Sequence, residues 1–360
     1  MNAATTPQPG FEPPDAGDPA RAGADRAAPR GPVTHELVTD DEAELRLDRW
    51  FRRHFSTLGQ GAIQKLCRTG QIRVDGLRVE AATRLRPGQS IRVPPLPAAT
   101  PPAAPREIPV LSPRDQKDLE RMVLYRDDQV IVLDKPAGLP SQGGPGISRH
   151  VDFLLDGLRF GSEHRPRLVH RLDRDTSGVL VVARTPGVAA KLAEAFRGRT
   201  VEKTYWAVVV GRPVPPQGRI DLELVRVEGP RGERAAVAGP YDTDLARAIT
   251  DYTTLDHAGR KLAWLELRPL TGRTHQLRVS CAAIGAPILG DRPYGQEIEG
   301  RNTALVEGLS DALHLHARSL SLPHPAGGRL TVEAELPAHI AATFRTLGFT
   351  APPAEPPRRR

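Results

Sequence analysis

The amino-acid sequence predicts an α+β protein. A large domain on a mixed, mostly antiparallel central sheet with flanking helices follows a small helix-helix-hairpin domain. Three observations carry that expectation. Between residues 110 and 346, apolar strand-like runs outnumber helical ones and do not alternate with them as βαβ units would. From Pro94 to Pro109 there are 7 prolines in 16 residues, the composition of a semi-rigid extended linker between two domains. Residues 44–93 pass from helical to alternating apolar spacing around one tight turn.

In chain order, residues 1–40 are rich in Ala, Pro and Gly with almost no large apolar side chains. Such a segment cannot bury enough surface to offset its ordering entropy and is expected to be disordered. In the small domain Leu47, Trp50, Phe51 and Phe55 fall at helical spacing, which makes Trp50 and Phe51 core residues. A second short helix carries Ile63, Leu66 and Cys67, with Gly70 as its stop. Ile72 and Val74 then alternate into Asp75-Gly76, a two-residue hairpin signal. After the linker, strands are expected at Val130–Leu133, Val179–Ala183, Tyr205–Val210, Ala263–Leu267 and Leu330–Ala334. One helix starts after Thr185 as cap, with Pro186 in its first turn and an apolar stripe of Val188, Leu192 and Phe196 before Gly198. Residues 347–360 form a tail rich in proline and arginine.

Charge is the first functional clue. The 11 Arg and Lys against 4 Asp and Glu between Glu44 and Val93 carry the whole net charge of +7. A compact basic module on a neutral body is the electrostatic footprint of a nucleic-acid contact, with a solvated basic face as the bland alternative. Arg46, Arg49, Arg52, Arg53, Lys65, Arg68 and Arg73 are the candidate RNA-binding residues. No run approaches the ~18 apolar residues of a spanning helix, and the amino end lacks the apolar core of a secretory signal. Only Cys67 and Cys281 are present, too few for a disulfide framework or a zinc site. A reducing cytoplasm is the expected compartment.

The densest polar stretch between apolar strands is His170 to Gly178. Polar groups so placed sit at the end of a sheet, where a rigid scaffold holds active-site residues. Asp173 and Asp175 are its carboxylates, and on physics alone either could catalyse or merely cap the loop.

The string His170-Arg171-Leu172-Asp173-Arg174-Asp175-Thr176-Ser177-Gly178 resembles the signature of the RluA-type pseudouridine synthases. Companion segments follow that family's order: LDKPAG from Leu133, EKTYWAVV from Glu202, AxTxY from Ala248, GRTHQLR from Gly272, GDRPYG from Gly290 and LHLHARSL from Leu313. The small domain resembles an RNA-binding domain first known from a small-subunit ribosomal protein. What the resemblance implies is isomerisation of uridine to pseudouridine in structured RNA, most of all large-subunit ribosomal RNA or pre-ribosomal particles, by a monomer needing no cofactor and no metal.

It assigns Asp173 as nucleophile, Arg273 as the cation paired with it, and Tyr205 as the aromatic against the target base that helps remove the C5 proton. Arg171 would fill the gap left by the extruded nucleotide, Lys135 and Pro136 would shape the floor of the substrate pocket, and His275, Gln276 and Arg278 would contact the RNA, with a structural network as the equal alternative for these three. Core packing for Tyr205 and a loop-bracing ion pair for Arg171 are the structural alternatives. His170 and Thr176 read as structural. Ser141-Gln142-Gly143 departs from the family, whose members often carry a histidine there. Two other functions compete: a non-catalytic RNA-binding assembly factor, and a nuclease or base-removing hydrolase. Intact Asp173, Tyr205 and Arg273 argue against the first. No histidine pair or metal-binding carboxylate cluster supports the second.

Overall fold

The computed structural model describes residues 32–55, 58–96, 111–144, 146–229, 232–295, 297–298, 301–302 and 304–359. The expected disorder of residues 1–31 and the linker residues 97–109 lie outside these. The chain divides into two compact units, with Leu45–Ala104 in the first and Pro105–Arg360 in the second.

In the small unit, strand β1 (Thr34–Leu37) is followed by helices α1 (Leu47–His54) and α2 (Gln60–Arg68). Strands β2 (Arg73–Val74), β3 (Leu77–Arg78) and β4 (Ser90–Val93) complete it. The helical stripe lands as expected: Leu47, Trp50, Phe51 and Ile63 are fully buried in one core with Ile72, Leu85 and Ile91. Asp75 and Gly76 both take positive φ (50° and 76°), as a hairpin turn of this length requires.

The sheet is larger than the expected hairpin. Its order is β1-β4-β2-β3, and β1 comes from the segment read as disordered. All four β1 side chains are exposed, so the strand is held by backbone pairing to β4 and shows no apolar alternation to read. Pro94 and Leu96, assigned to the linker, are buried, and Leu96 joins this core.

The second unit is mixed α+β. Its strands are β5 (Val123–Arg126), β6 (Val130–Lys135), β7 (Arg167–Leu168), β8 (Ser177–Ala183), β9 (Glu202–Val210), β10 (Gln217–Gly229), β11 (Gly232–Val237), β12 (Ala246–Ala258) and β13 (Leu262–Pro269). The short pair β14 (Glu297–Ile298) and β15 (Arg301–Asn302) precedes β16 (Leu315–Pro323), β17 (Arg329–Glu333) and β18 (Arg358–Arg359). Its helices are α3 (Pro113–Arg121), α4 (Val151–Leu154), α5 (Pro186–Arg197), α6 (Gln276–Ala283) and α7 (Ala338–Leu347).

The main sheet runs β11-β10-β12-β13-β9-β16-β8-β6-β5, with β7, β17 and β18 paired alongside. Every pairing in it is antiparallel except β8 with β16. Strands β6 and β8 are covered on both faces, which explains their unbroken apolar runs. Ile131, Leu133, Leu180 and Val182 pack toward Leu119 of α3 and Leu154 of α4. Val130, Val132, Val179 and Val181 pack toward Val188 and Leu192 of α5. In the other half, Leu277 and Cys281 of α6 cover one face, and Ile340 and Phe344 of α7 the other.

Two 13-residue strands, β10 and β12, were not expected. Arg219, Asp221 and Glu223 of β10 and Arg247 of β12 are exposed, and Arg219 pairs across the strands with Asp251 at 2.7 Å. The C-terminal tail is also more ordered than expected. Phe349 is buried, Pro352 O accepts from Arg318 Nη2 at 3.0 Å, and Arg358–Arg359 pairs with β17. Among the described residues no helix is long and apolar enough to cross a membrane.

Candidate active site

Four strands bring the site together. Lys135 on β6, Gly178 on β8, Ala317 on β16 and Tyr205 on β9 lie abreast in register. Gly178 has φ 105°, and a β-carbon there would stand 2.2 Å from Ala317 O, so only glycine lets the parallel strands close. Beside it, Ser177 Oγ bonds His316 Nδ1 at 2.9 Å. Burial pushes His316 down to about 4, which keeps it neutral.

The His170–Thr176 loop is tied down at nearly every residue. His170 is structural, as expected: Nε2 accepts from Val181 N at 2.9 Å, and the ring stacks on Phe196. Ser141 Oγ donates to Leu172 O at 2.7 Å and accepts from Leu172 N at 3.0 Å. Arg174 O accepts from Gly138 N at 2.9 Å and from Lys135 Nζ at 3.0 Å. Asp173 O accepts from Thr176 N at 3.2 Å, closing a turn. Asp173 therefore sits between two clamped neighbours with its side chain 21 % exposed, whereas Asp175 is 57 % exposed.

Facing Asp173 is His275, whose Nε2 lies 4.0 Å from Asp173 Oδ2. His275 precedes α6 in the left-handed region at φ 52°. Its Nδ1 is 2.9 Å from Tyr294 Oη, and Tyr294 gives its own proton to Ala235 O at 2.8 Å. The histidine must then be the donor in the first bond, so its proton is on Nδ1 and Nε2 carries the lone pair. Burial pushes His275 down; Arg278 and Arg171 push the same way, while Asp173 and Asp291 oppose them. Behind this pair, Arg278 binds Asp291 through Nε (2.8 Å) and Nη2 (2.6 Å), both residues buried, with its guanidinium 5.0 Å from the Tyr294 ring centre.

Several sequence assignments move. Lys135 does not line a substrate surface: it is fully buried, and its three protons go to the carbonyls of Pro136, Leu139 and Arg174. Burial pushes it down to about 8, against the charges of Asp175, Asp173 and Asp134. Gln276 is equally committed. Its Oε1 accepts from Thr271 Oγ1 and Arg273 N, while Nε2 donates to Ile249 O and Thr250 Oγ1.

Arg273 makes no ion pair with Asp173; it is exposed and donates from Nε to Arg247 O at 3.2 Å. Arg278, assigned to substrate, is the guanidinium that feels Asp173. Burial lowers its pKa, but the bonds to Asp291 and the charges of Asp291 and Asp173 outweigh that and raise it. Arg171 is exposed, with no ion-pair partner among the described residues. Tyr205 packs with Leu172 and Ala317, and burial together with the Asp173 charge pushes its phenol up.

In the small unit Arg49, Arg52, Arg53, Lys65 and Arg68 are exposed. Arg46 is engaged with Asp48 at 2.7 Å, and Arg73 bonds the carbonyls of Gly70 and Gly76. Tyr294 and Asp291 were not singled out as site residues, and Ser141 only as part of a loop that departs from the family. Nothing in local spacing announces that a side chain will serve a loop far along the chain. Among the described residues no group of three or more His, Cys, Asp or Glu is placed to hold a metal ion.

A helix-covered mixed sheet with one half-buried carboxylate clamped near its middle, beside a histidine, a tyrosine and an anchored guanidinium, defines an enzyme of the α+β class. The chain belongs to the RNA pseudouridylate synthase family, whose model matches residues 129–283. It is 35 % identical over 312 residues to "Ribosomal large subunit pseudouridine synthase C" of Rickettsia bellii, covering 84 % of this chain and 98 % of that protein. It is 33 % identical over 382 residues to "RNA pseudouridine synthase 4, mitochondrial" of Arabidopsis thaliana, covering 85 % and 80 %. The solved structure titled "Human RNA Pseudouridylate Synthase Domain Containing 4" overlays with TM-score 0.54 at 30 % identity, covering 66 % of this chain and 97 % of that one. The protein is an RNA pseudouridine synthase, an isomerase that converts uridine to pseudouridine.

Proposed function

We propose that the substrate is large-subunit ribosomal RNA and that Asp173 is the nucleophile. The observation that carries the first part is the match to the Rickettsia synthase over nearly its whole length. The second rests on the Asp173 loop, fixed on both sides and open on one. The reaction breaks the uridine N1–C1′ bond, turns the uracil and joins C5 to C1′. Its difficult point is a sugar with oxocarbenium character, which glycoside-processing enzymes meet with a carboxylate. Asp173 either attacks C1′ or assists loss of the C2′ proton.

The buried Arg278 guanidinium, held in place by Asp291, feels the Asp173 charge and would steady that carboxylate. This gives Arg278 the role that the sequence assigned to Arg273. The target nucleotide must leave the RNA stack, and Arg171, exposed near His275, would fill its place. The small unit, with its excess positive charge, would dock RNA beyond the target through phosphate contacts.

Replacing Asp173 with Asn should abolish pseudouridine formation while preserving the fold, whereas Asp175→Asn should keep most activity. A dead Asp175 variant beside an active Asp173 variant would reverse the assignment. Mapping pseudouridines in ribosomal RNA from cells lacking the protein tests the substrate.

A further inference from the structure

The loop that delivers His275 to Asp173 has a second use. Gly272, Arg273 and Thr274, the three residues before that histidine, form one wall of a cavity of about 140 Å³. Leu224 and Arg226 of β10 and Ala246 of β12 line it from the sheet, together with Asp244 just ahead of β12. Leu224 is buried and pairs in register with Ala246, which makes the floor apolar, while Arg226, Asp244 and Arg273 are exposed.

We propose, on the reading that Asp173 marks the reaction centre, that this cavity takes the edge of a guanine neighbouring the target uridine in the RNA. The Asp244 carboxylate would accept from guanine N1–H and N2–H. Position is the first support. His275 Nε2 is 4.0 Å from Asp173 Oδ2, and Arg273 precedes His275 by two residues. With consecutive Cα atoms 3.8 Å apart, the cavity wall begins within roughly 8 Å of the histidine backbone, inside the reach of an adjoining nucleotide.

Charge and surface chemistry point the same way. Arg226 and Arg273 bring two guanidinium groups to the cavity, the forked cation that suits phosphate, and Arg273 is steadied by its Nε bond to Arg247 O. Tyr241, on the connection that also carries Asp244, is 95 % exposed. Val237, which pairs with Leu224, and Leu245, which adjoins Ala246, are exposed as well. Aromatic and apolar groups left in water beside cations form a platform for unstacked RNA bases. A closed cavity of roughly 150 Å³ takes benzene, so this one receives the edge of a single base.

Asp244 selects which base. Among the described residues its carboxylate makes no hydrogen bond or ion pair. An ionised carboxylate only accepts, and its two oxygens best meet two adjacent donors. Of the four RNA bases only guanine offers these, at N1 and N2. Adenine and cytosine set a ring acceptor beside the amino group, and uracil flanks its single N–H with two carbonyls, so each opposes the carboxylate.

The test uses the full-length protein and a fragment of whichever RNA carries the pseudouridine that it installs. Each guanine flanking the target is replaced in turn by inosine, which lacks only the N2 amino group. One replacement should raise KM roughly tenfold with little change in kcat, the behaviour of a base contact made equally in ground and transition states. Asp244→Asn should raise KM for the guanine RNA by a similar factor and erase the difference between guanine and inosine at that position. Indifference to inosine at every flanking position would overturn the proposal. So would a target with no flanking guanine, or penalties for inosine and for Asp244→Asn that simply multiply.

The inosine series needs no variant, so it decides the matter even if Asp244→Asn misfolds. Equilibrium binding by Asp173→Asn keeps the two readings apart. Should that variant turn over, the nucleophile is reassigned, and its discrimination between guanine and inosine still decides the cavity.

Discussion

Ser141 and Leu172 are joined by two hydrogen bonds through a single oxygen. The Ser141 hydroxyl donates to the Leu172 carbonyl and accepts from the Leu172 amide, both residues being buried. A side chain here does what a neighbouring strand would do, for the one residue that precedes Asp173. The backbone of Pro140 and Ser141 is in turn bonded by the amides of Val151 and Asp152 at the start of α4.

Ser141→Ala should therefore strand two buried backbone groups, at a cost of about 1–3 kcal/mol each. Because the loss falls on the catalytic loop, kcat should drop roughly tenfold or more, as small misplacements of reacting groups do, with KM nearly unchanged. Thermal melting and single-turnover assays would check both. Full activity in a destabilised variant would show that the loop does not need this clamp.

Lys135 offers a pH test. Its folded pKa, lowered to about 8, lies below the unfolded value of 10.5. The unfolded chain therefore binds more protons between these values, and the contribution of Lys135 to stability rises with pH across that window. Below about 8 the cost of burying the charge is fully present. Relative to Lys135→Met, the wild type should gain on the order of 3 kcal/mol between pH 8 and 10.5. Denaturant melts of both proteins across that range read it, and parallel profiles would contradict it.

Tyr205→Phe should keep the ring packed against Leu172 and Ala317 and retain activity within about tenfold, since general acid–base roles contribute more than that. Tyr205→Ala should destabilise the core by about 3–5 kcal/mol. A Phe variant slowed by much more than tenfold would show that the Tyr205 hydroxyl takes part in removing the C5 proton.

Replacing Arg49, Arg52, Arg53, Lys65 and Arg68 with Ala should make RNA binding less sensitive to salt. The log–log slope should fall by roughly 0.7–0.9 for each phosphate that the protein no longer neutralises. Turnover at saturating RNA should change little, because such interactions act equally in ground and transition states. Titrations at several salt concentrations would measure the slope. An unchanged slope would mean that these cations are only a solvated face.

What was legible in the sequence follows from burial. Strands β6, β8, β9 and β13 announced themselves because their side chains are apolar on covered faces. Helix α5 carried its own cap, with Thr185 Oγ1 accepting from Val188 N. Strand β1 was invisible because nothing on it is buried. The His170–Gly178 loop was located from its polarity, but the partners of its charged groups were not. A motif gives residue types in order. It does not say that Lys135 will spend its protons on carbonyls while Arg273 turns outward, and such choices are made by strands that meet only in the folded sheet.

The hydrogen bond between Ser177 and His316 joins positions 139 residues apart in the chain. Contacts of such sequence separation slow folding, so this pairing is expected to form after the local hairpins of the sheet. Asp173, Tyr205, His275 and Arg278 all precede β16 in the sequence. A chain interrupted before Leu315 would hold every one of them and still lack the strand that lines up beside Gly178. The site is therefore expected to be complete only once β16, in the last eighth of the chain, has been made and has joined the sheet.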